Sequence, residues 1–209
     1  MKWMSEQRDA QAAIREESWT VRGGAQVTLR AARATDHGRL RTFVDGLSRE
    51  SRYFRFLTGG PVANETLARS VSRQNRDVAL VVTFGEVIVA NAEYVVNDEG
   101  LAELAVVVAD NWQGQGLGRR LIQRLQQLAR AASLRGMRGD VLSENRRMLA
   151  IMRDCGFATR RNPEDSMLHE VSLTLAEPRK APALSALSAL SAPSAPSAEW
   201  LPRDWFAAN

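Results

Sequence analysis

The sequence predicts a mixed α/β domain, a mostly antiparallel sheet with helices on both faces. Three observations carry this prediction. Strand-like apolar runs and helix-like periodic stretches alternate between Val27 and Leu175. Between Val78 and Ala109, three apolar runs follow one another with only short turns between them. The segment Gln113-Gly114-Gln115-Gly116-Leu117-Gly118 then joins the last run to a long amphipathic stretch. The resulting order, β-α-α-β-β-β-α-β-α-β-β, fits a mixed sheet covered by helices.

The first strand opens at residues 27–30, Val-Thr-Leu-Arg. Thr35 has the character of an N-cap, because Leu40, Phe43, Val44 and Leu47 follow at helical spacing. A link through Arg52-Tyr53-Phe54-Arg55-Phe56 and Gly59-Gly60-Pro61 leads to a second helix over residues 64–74. Val78–Phe84 reads as a strand, Gly85-Glu86 as a turn and residues 87–95 as the next strand. Asn97-Asp98-Glu99-Gly100 is a strong turn signal before a strand over 101–109. After the glycines, Leu117, Leu121, Leu125, Leu128 and Ala132 trace one face of a long helix. Residues 137–142 form a strand. Residues 144–155 form a helix with Met148, Leu149, Ile151 and Met152 inward, and Gly156 stands where a C-cap glycine belongs. Strands over 157–161 and 168–175 close the domain.

At 209 residues the chain suits one domain with appendages. Its 44% hydrophobic content supports a self-standing core, since a domain of about 150 residues buries roughly 70% of its unfolded surface. Residues 1–26 are polar, end in Gly23-Gly24 and read as a loosely held extension. The domain is expected over 27–175, followed by an Ala/Ser/Pro-rich linker over 176–198 and an aromatic tail over 199–209 with Trp200, Trp205 and Phe206. The tail suits either docking or a disordered terminus.

The single cysteine, Cys155, cannot form an internal disulfide, and its neighbours Gly156-Phe157 suggest core packing. No Cys/His set has zinc-ligand spacing, so no metal is expected. The first residues lack the apolar stretch of a signal peptide, and no run approaches a membrane span. The expected setting is therefore cytoplasmic. A formal charge of +4 raises a nucleic-acid reading. The arginines are interspersed with acids, however, and no helix-turn-helix or zinc-finger pattern is present. A modest positive field equally suits an anionic, phosphate-bearing ligand.

The glycine segment carries the most chemistry. Glycines remove the Cβ atoms that would hold a phosphate at a distance and let backbone N–H groups converge. A helix N-terminus adds roughly half a positive charge. Together these form a diphosphate site that needs no metal. The P-loop ending Gly-Lys-Ser/Thr is absent. The dinucleotide fingerprint G-x-G-x-x-G is also unmet, since these glycines fall as G-x-G-x-G, although Asp140 stands about where its ribose-binding acid would be. A glycine-rich helix cap without a ligand is the remaining alternative.

Gln113-x-x-Gly116-x-Gly118 is similar to the Q/R-x-x-G-x-G/A motif of the Gcn5-related N-acetyltransferases, and the element order resembles theirs from about Val27 to Leu175. Within that superfamily, Leu47-Ser48-Arg49-Glu50-Ser51-Arg52-Tyr53-Phe54-Arg55-Phe56 and Ala102-Glu103-Leu104-Ala105-Val106-Val107-Val108 resemble the bacterial protein lysine acetyltransferase (Pat-type) branch. The resemblance implies acetyl-CoA as cosubstrate and a central parallel strand pair that splays apart around the pantetheine arm. It assigns pantetheine contacts to Val106, Val107 and Val108 and pyrophosphate contacts to Gln113, Gly114, Gln115, Gly116, Leu117 and Gly118. It also places Asn145 at a position that often touches the cofactor. Arg119 or Arg120 either meets the 3′-phosphate or is simply solvated.

The implied reaction is acetyl transfer to a primary amine, with a protein lysine the favoured acceptor. A small-molecule amine or a non-catalytic CoA-sensing module is the alternative. A lysine-like amine has a pKa near 10.4 and must lose a proton before it attacks a thioester. Glu103 is the expected general base, because an acid within an apolar strand is costly unless partnered or working, and its position matches the base of the Pat-type branch. A salt bridge is its structural alternative. Glu93 is the reserve, with a paired or solvated role more expected. Tyr53 and Tyr94 lie away from the usual position of a family general acid, so Asn145, Ser143 or water would serve the leaving thiol. His37 and His169 suit capping or surface roles, and Trp112 a packing anchor. The oligomeric expectation is a monomer or homodimer.

Overall fold

The computed structural model describes residues 14–58, 60–71 and 76–175. The linker, the aromatic tail, the first 13 residues and the end of the helix expected over 64–74 lie outside them. One sheet of eight strands organises the domain: β1 Glu17–Thr20, β2 Gln26–Ala31, β3 Val78–Phe84, β4 Val87–Val96, β5 Leu101–Val108, β6 Gly136–Leu142, β7 Ala158–Arg161 and β8 Leu168–Thr174. Their spatial order is β1-β2-β3-β4-β5-β6-β8-β7. Every neighbouring pair is antiparallel except β5 with β6. The mixed sheet read from the sequence is thus present, with its parallel step where a helix intervenes.

Both faces are covered because β3 is apolar on both. Leu80 and Val82 point into one core and Ala79 and Val81 into the other. The first core is closed by α4 (Leu117–Ala131) and α5 (Arg146–Asp154), which contribute Leu117, Leu121, Leu125, Leu128, Leu149 and Met152. The second is closed by α1 (His37–Asp45) and α3 (Asn64–Val71), through Leu40, Phe43, Val44, Leu67 and Val71. α2 (Arg49–Phe56) lies against β5, and its Phe56 packs on that second core. None of these helices is long and apolar enough to cross a membrane.

The structure departs from the sequence reading at three places. The stretch before Val27 contributes β1, which pairs with β2 around a turn at Arg22-Gly23-Gly24. Gly24 has φ +82°, so the glycine pair marks a hairpin rather than the end of a loose extension. The helix near Thr35 begins later, at His37, after a 3₁₀ turn over Ala34–Asp36. Asp36 organises that turn: its carboxylate accepts from the Arg33 backbone N–H at 2.8 Å and from the Arg30 guanidinium at 2.6 and 2.8 Å. The supposed link at Arg52–Phe56 is helical. Ser48 caps α2 by accepting from the Ser51 N–H at 3.1 Å, and Leu57, at φ +54°, ends it. Half-buried arginines, Arg52 and Arg55, interleaved with Tyr53, Phe54 and Phe56 hide its helical period.

Candidate active site

β5 and β6 are in register only from Leu101↔Gly136 to Glu103↔Arg138. Beyond these three pairs the strands separate, and a cleft of about 570 Å³ opens between Leu104–Val108 on one side and Asp140-Val141 on the other. The starts of α4 and α5 close its floor. Val106, Val107, Val108, Gln113, Gly114, Gly116, Leu117, Gly118 and Asn145 all line it. Gln115 and Glu103 do not.

A 3₁₀ turn over Asp110–Trp112 carries the chain from β5 into the glycine loop. Gly114 (φ +79°) and Gly116 (φ +90°) take left-handed conformations that a side chain would strain. A Cβ on Gly114 would stand 3.0 Å from Arg147 Nη2, so the missing side chain also leaves room for that guanidinium. The backbone N–H groups from Gly114 to Arg119 have no acceptor among the described residues. They form an anion cradle at the head of a 15-residue helix.

Side chains fix this cradle in place. Gln113 Nε2 donates to Val108 O and to Ser51 Oγ, both at 3.2 Å, and its Oε1 accepts from Arg147 Nη1 at 3.0 Å. Asp110 accepts from Ser48 N at 2.9 Å and from the Ser48 and Ser51 hydroxyls at 2.7 Å each. Burial alone would raise the Asp110 carboxyl, but these hydrogen bonds outweigh it and hold the group below its ordinary range. One network therefore ties the head of α2, the loop and α5 together.

Sequence reasoning missed Ser48, Ser51 and Asp110, whose partners lie some 60 positions apart. It also missed Arg22, Arg146 and Arg147, which line the cleft. A signal for the last two existed. Arginines in the first turn of a helix oppose its dipole unless an anion meets them. Arg119 and Arg120 are less available than supposed, because Arg119 pairs with Asp154 and Arg120 sits 3.9 Å over the Trp19 ring.

Glu103 shares its face with Ala105 and Val107, as strand alternation requires, and that face is the one covered by α1–α3. It is solvent-exposed and lies 3.7 Å from Arg138 Nη2. Glu93 is half-buried in an ion pair with Arg55, which removes it as a free base. Asp140 lines the cleft and has no hydrogen-bond or ion-pair partner among the described residues. It is solvent-exposed; partial desolvation by the cleft walls first, then the nearby Glu103 and Glu170, push its carboxyl upward, against a smaller pull from Arg138.

Tyr94 is fully buried with its hydroxyl unpartnered, and burial raises its pKa; Tyr53 does not line the cleft. Asn145 Oδ1 caps α5 by accepting from Met148 N at 3.0 Å. Ser143 Oγ lies 3.0 Å from His169 Nδ1, outside the cleft lining. Trp112 packs on Phe84 with ring centroids 5.2 Å apart, and Cys155 packs against the α4 core, where burial raises its thiol.

A split parallel pair running into a cradle of backbone N–H groups gives a cleft suited to an anionic, extended ligand. Residues 45–157 match the model of the Acetyltransferase (GNAT) family. The Pseudomonas aeruginosa protein "Acetyltransferase PA5475" is 33% identical over 173 residues, 78% of this chain and 93% of that protein. The GNAT domain of S. lividans PAT superposes with a TM-score of 0.70 at 23% identity, over 77% of this chain and 97% of that one. The yncA protein of Salmonella typhimurium, solved with its cofactor acetyl-CoA, superposes at 0.60 and 23% identity, over 73% and 96%. The chain belongs to the GNAT acetyltransferase family and is an acyl-CoA-dependent N-acetyltransferase.

Proposed function

We propose that this enzyme transfers the acetyl group of acetyl-CoA to a primary amine in the cytoplasm, with a protein lysine the favoured acceptor. The observation that carries this reading is the cleft, where the separated β5–β6 pair meets the unpaired N–H groups of Gly114 to Arg119. The backbone of Val106 and Val108 would hold the pantetheine arm, and Gln113 through Gly118 the diphosphate. Arg22, Arg146 and Arg147 supply positive charge around it. Bound there, acetyl-CoA supplies a thioester carbonyl open to attack by an amine. The backbone near Val106–Val107 would steady the charge that develops on the carbonyl oxygen.

Glu103 is the general base in this reading, taking the proton from the acceptor's ammonium directly or through water. Its exposed position suits an acceptor that arrives from bulk solvent. With no tyrosine lining the cleft, the thiol leaves with help from Asn145 or water, as a group of pKa near 8.5 can. Acids on this face, Glu103, Asp140 and Glu170, favour a cationic acceptor. A small polycationic amine would meet the same field.

Thiol release from acetyl-CoA, screened over lysine-bearing proteins, free amino acids and polyamines, tests the proposal. Turnover with a lysine-bearing protein above all small amines is expected. Glu103→Gln should lower kcat by about 10²–10⁴-fold, the usual worth of a general base. No release with any acceptor, despite acetyl-CoA binding, would support a CoA-sensing module instead.

A further inference from the structure

We infer that the base of this enzyme is a pair of carboxylates, with Asp140 as the member inside the cleft and Glu103 as the member at its rim. This rests on the transferase reading above. It goes beyond that reading by adding a residue that neither the glycine motif nor the strand pattern singles out for catalysis.

Arg138 and Asp140 alternate along β6 and so project from the same face. Arg138 Nη2 approaches Glu103 across the last paired rung of β5 and β6, which places that face beside Glu103. Two residues further on the strands have parted, and Asp140 is left lining the opening opposite Leu104–Val108. Arg138 reaches Glu103 rather than Asp140. On the other side Asp140 stands directly opposite Glu170 of β8, and Glu170 is itself paired with Arg160 at 2.8 Å. The cations on the strands flanking Asp140, Arg138 and Arg160, are therefore engaged by other acids. The charged groups acting on Asp140 are Glu103 from β5, Arg138 from its own strand, Glu170 from β8 and Asp165 from the β7–β8 loop. Three of the four are negative.

Like charges directly across a ladder are destabilising, and Asp140, exposed at the cleft, has neither an ion-pair nor a hydrogen-bond partner among the described residues to offset them. What such surroundings favour is a carboxylate that holds a proton more readily than usual, which is the property of an effective base near neutral pH. The acceptor arrives as R–NH3⁺ and gives one proton to the pair. Its nitrogen lone pair then bonds the thioester carbonyl carbon, and the C–S bond breaks with its electrons leaving on sulfur. The sulfur takes a second proton from that nitrogen, through water where needed. The products are an amide, a thiol and one proton, which the pair returns to solvent.

The test is kcat/KM for the amine across pH in wild type, Asp140→Asn, Glu103→Gln and the double variant. Thermal unfolding confirms the fold and binding of acetyl-CoA confirms the cradle. Wild-type activity should rise with pH through an inflection above the ordinary carboxylate range, since the pair must be ionised to accept a proton. Asp140→Asn should lower kcat/KM about tenfold or more, a share of the general-base effect, while the KM for acetyl-CoA stays unchanged. Glu103→Gln removes a like charge and should shift the inflection to lower pH. Asp140→Glu should restore part of the activity. A wild-type rate and profile in Asp140→Asn would overturn the pair and leave Glu103 acting alone. Wild-type turnover in the double variant would overturn the carboxylate base altogether, and no thiol release by the wild type would overturn the transferase reading itself.

Discussion

Asp36 shows how one side chain sets the start of a helix. Its carboxylate and the Arg30 guanidinium are buried together, with side chains 3% and 10% exposed. The hydrogen bond from Arg30 leads in pulling the Asp36 carboxyl below its ordinary range, against burial. Asp36→Ala leaves Arg30 buried without its counter-ion, and should cost about 3–5 kcal/mol in denaturant unfolding. The sign with pH follows from the lowered value. The pair's contribution is fully present above the ordinary carboxylate range and is lost as pH falls through the folded-state value. Wild type should therefore lose more stability on acidification than Asp36→Ala. Gly136 is a second residue with little freedom, since a Cβ there would stand 2.8 Å from the backbone oxygen of Leu173.

At the scale of elements, the network from Asp110 through Ser48 and Ser51 to Gln113 joins α2 to the glycine loop proposed to receive the donor. Ser51→Ala removes a buried hydroxyl that donates to Asp110 and accepts from Gln113. A hydrogen bond to a charged group is worth about 1.5–3 kcal/mol. The expected outcome is a stability loss of that order and a raised KM for acetyl-CoA, measured by unfolding and steady-state kinetics. An unchanged KM would detach α2 from donor binding.

This network also marks the limit of the sequence reading. The glycine loop, the amphipathic α4 and the apolar run of β3 were legible because their signals are local, in periodicity, glycine spacing and apolar runs. Ser48, Ser51 and Asp110 were not, because each is an ordinary polar residue until folding brings them together. Asp140 was noticed only as a ribose-binding acid of a motif that fails here. Its surroundings come from β5, β8 and a loop, which no single window contains. Glu103 stood out as an acid within an apolar strand and through resemblance, and the structure adds its exposure and its approach to Arg138.

At the scale of the whole described domain, two antiparallel half-sheets, β1–β5 and β6–β8, meet along one short parallel seam. α4 leads out of the first half and back into the second, so folding must bring the halves together through a long connection. Donor binding should stabilise the folded state by about 2.7 kcal/mol when ligand stands at a hundred times its Kd. A rise in Tm with acetyl-CoA concentration checks this, and Gly116→Val should abolish the rise. The three-rung seam then has a metabolic consequence. Here the strand edges beyond Glu103 and Arg138 are unpaired with each other, and in the proposed reading a pantetheine arm bridges them. The enzyme's resistance to unfolding, and with it to proteolysis, should track the cell's supply of acyl donor, so that the amount of enzyme as well as its rate falls when the donor runs short.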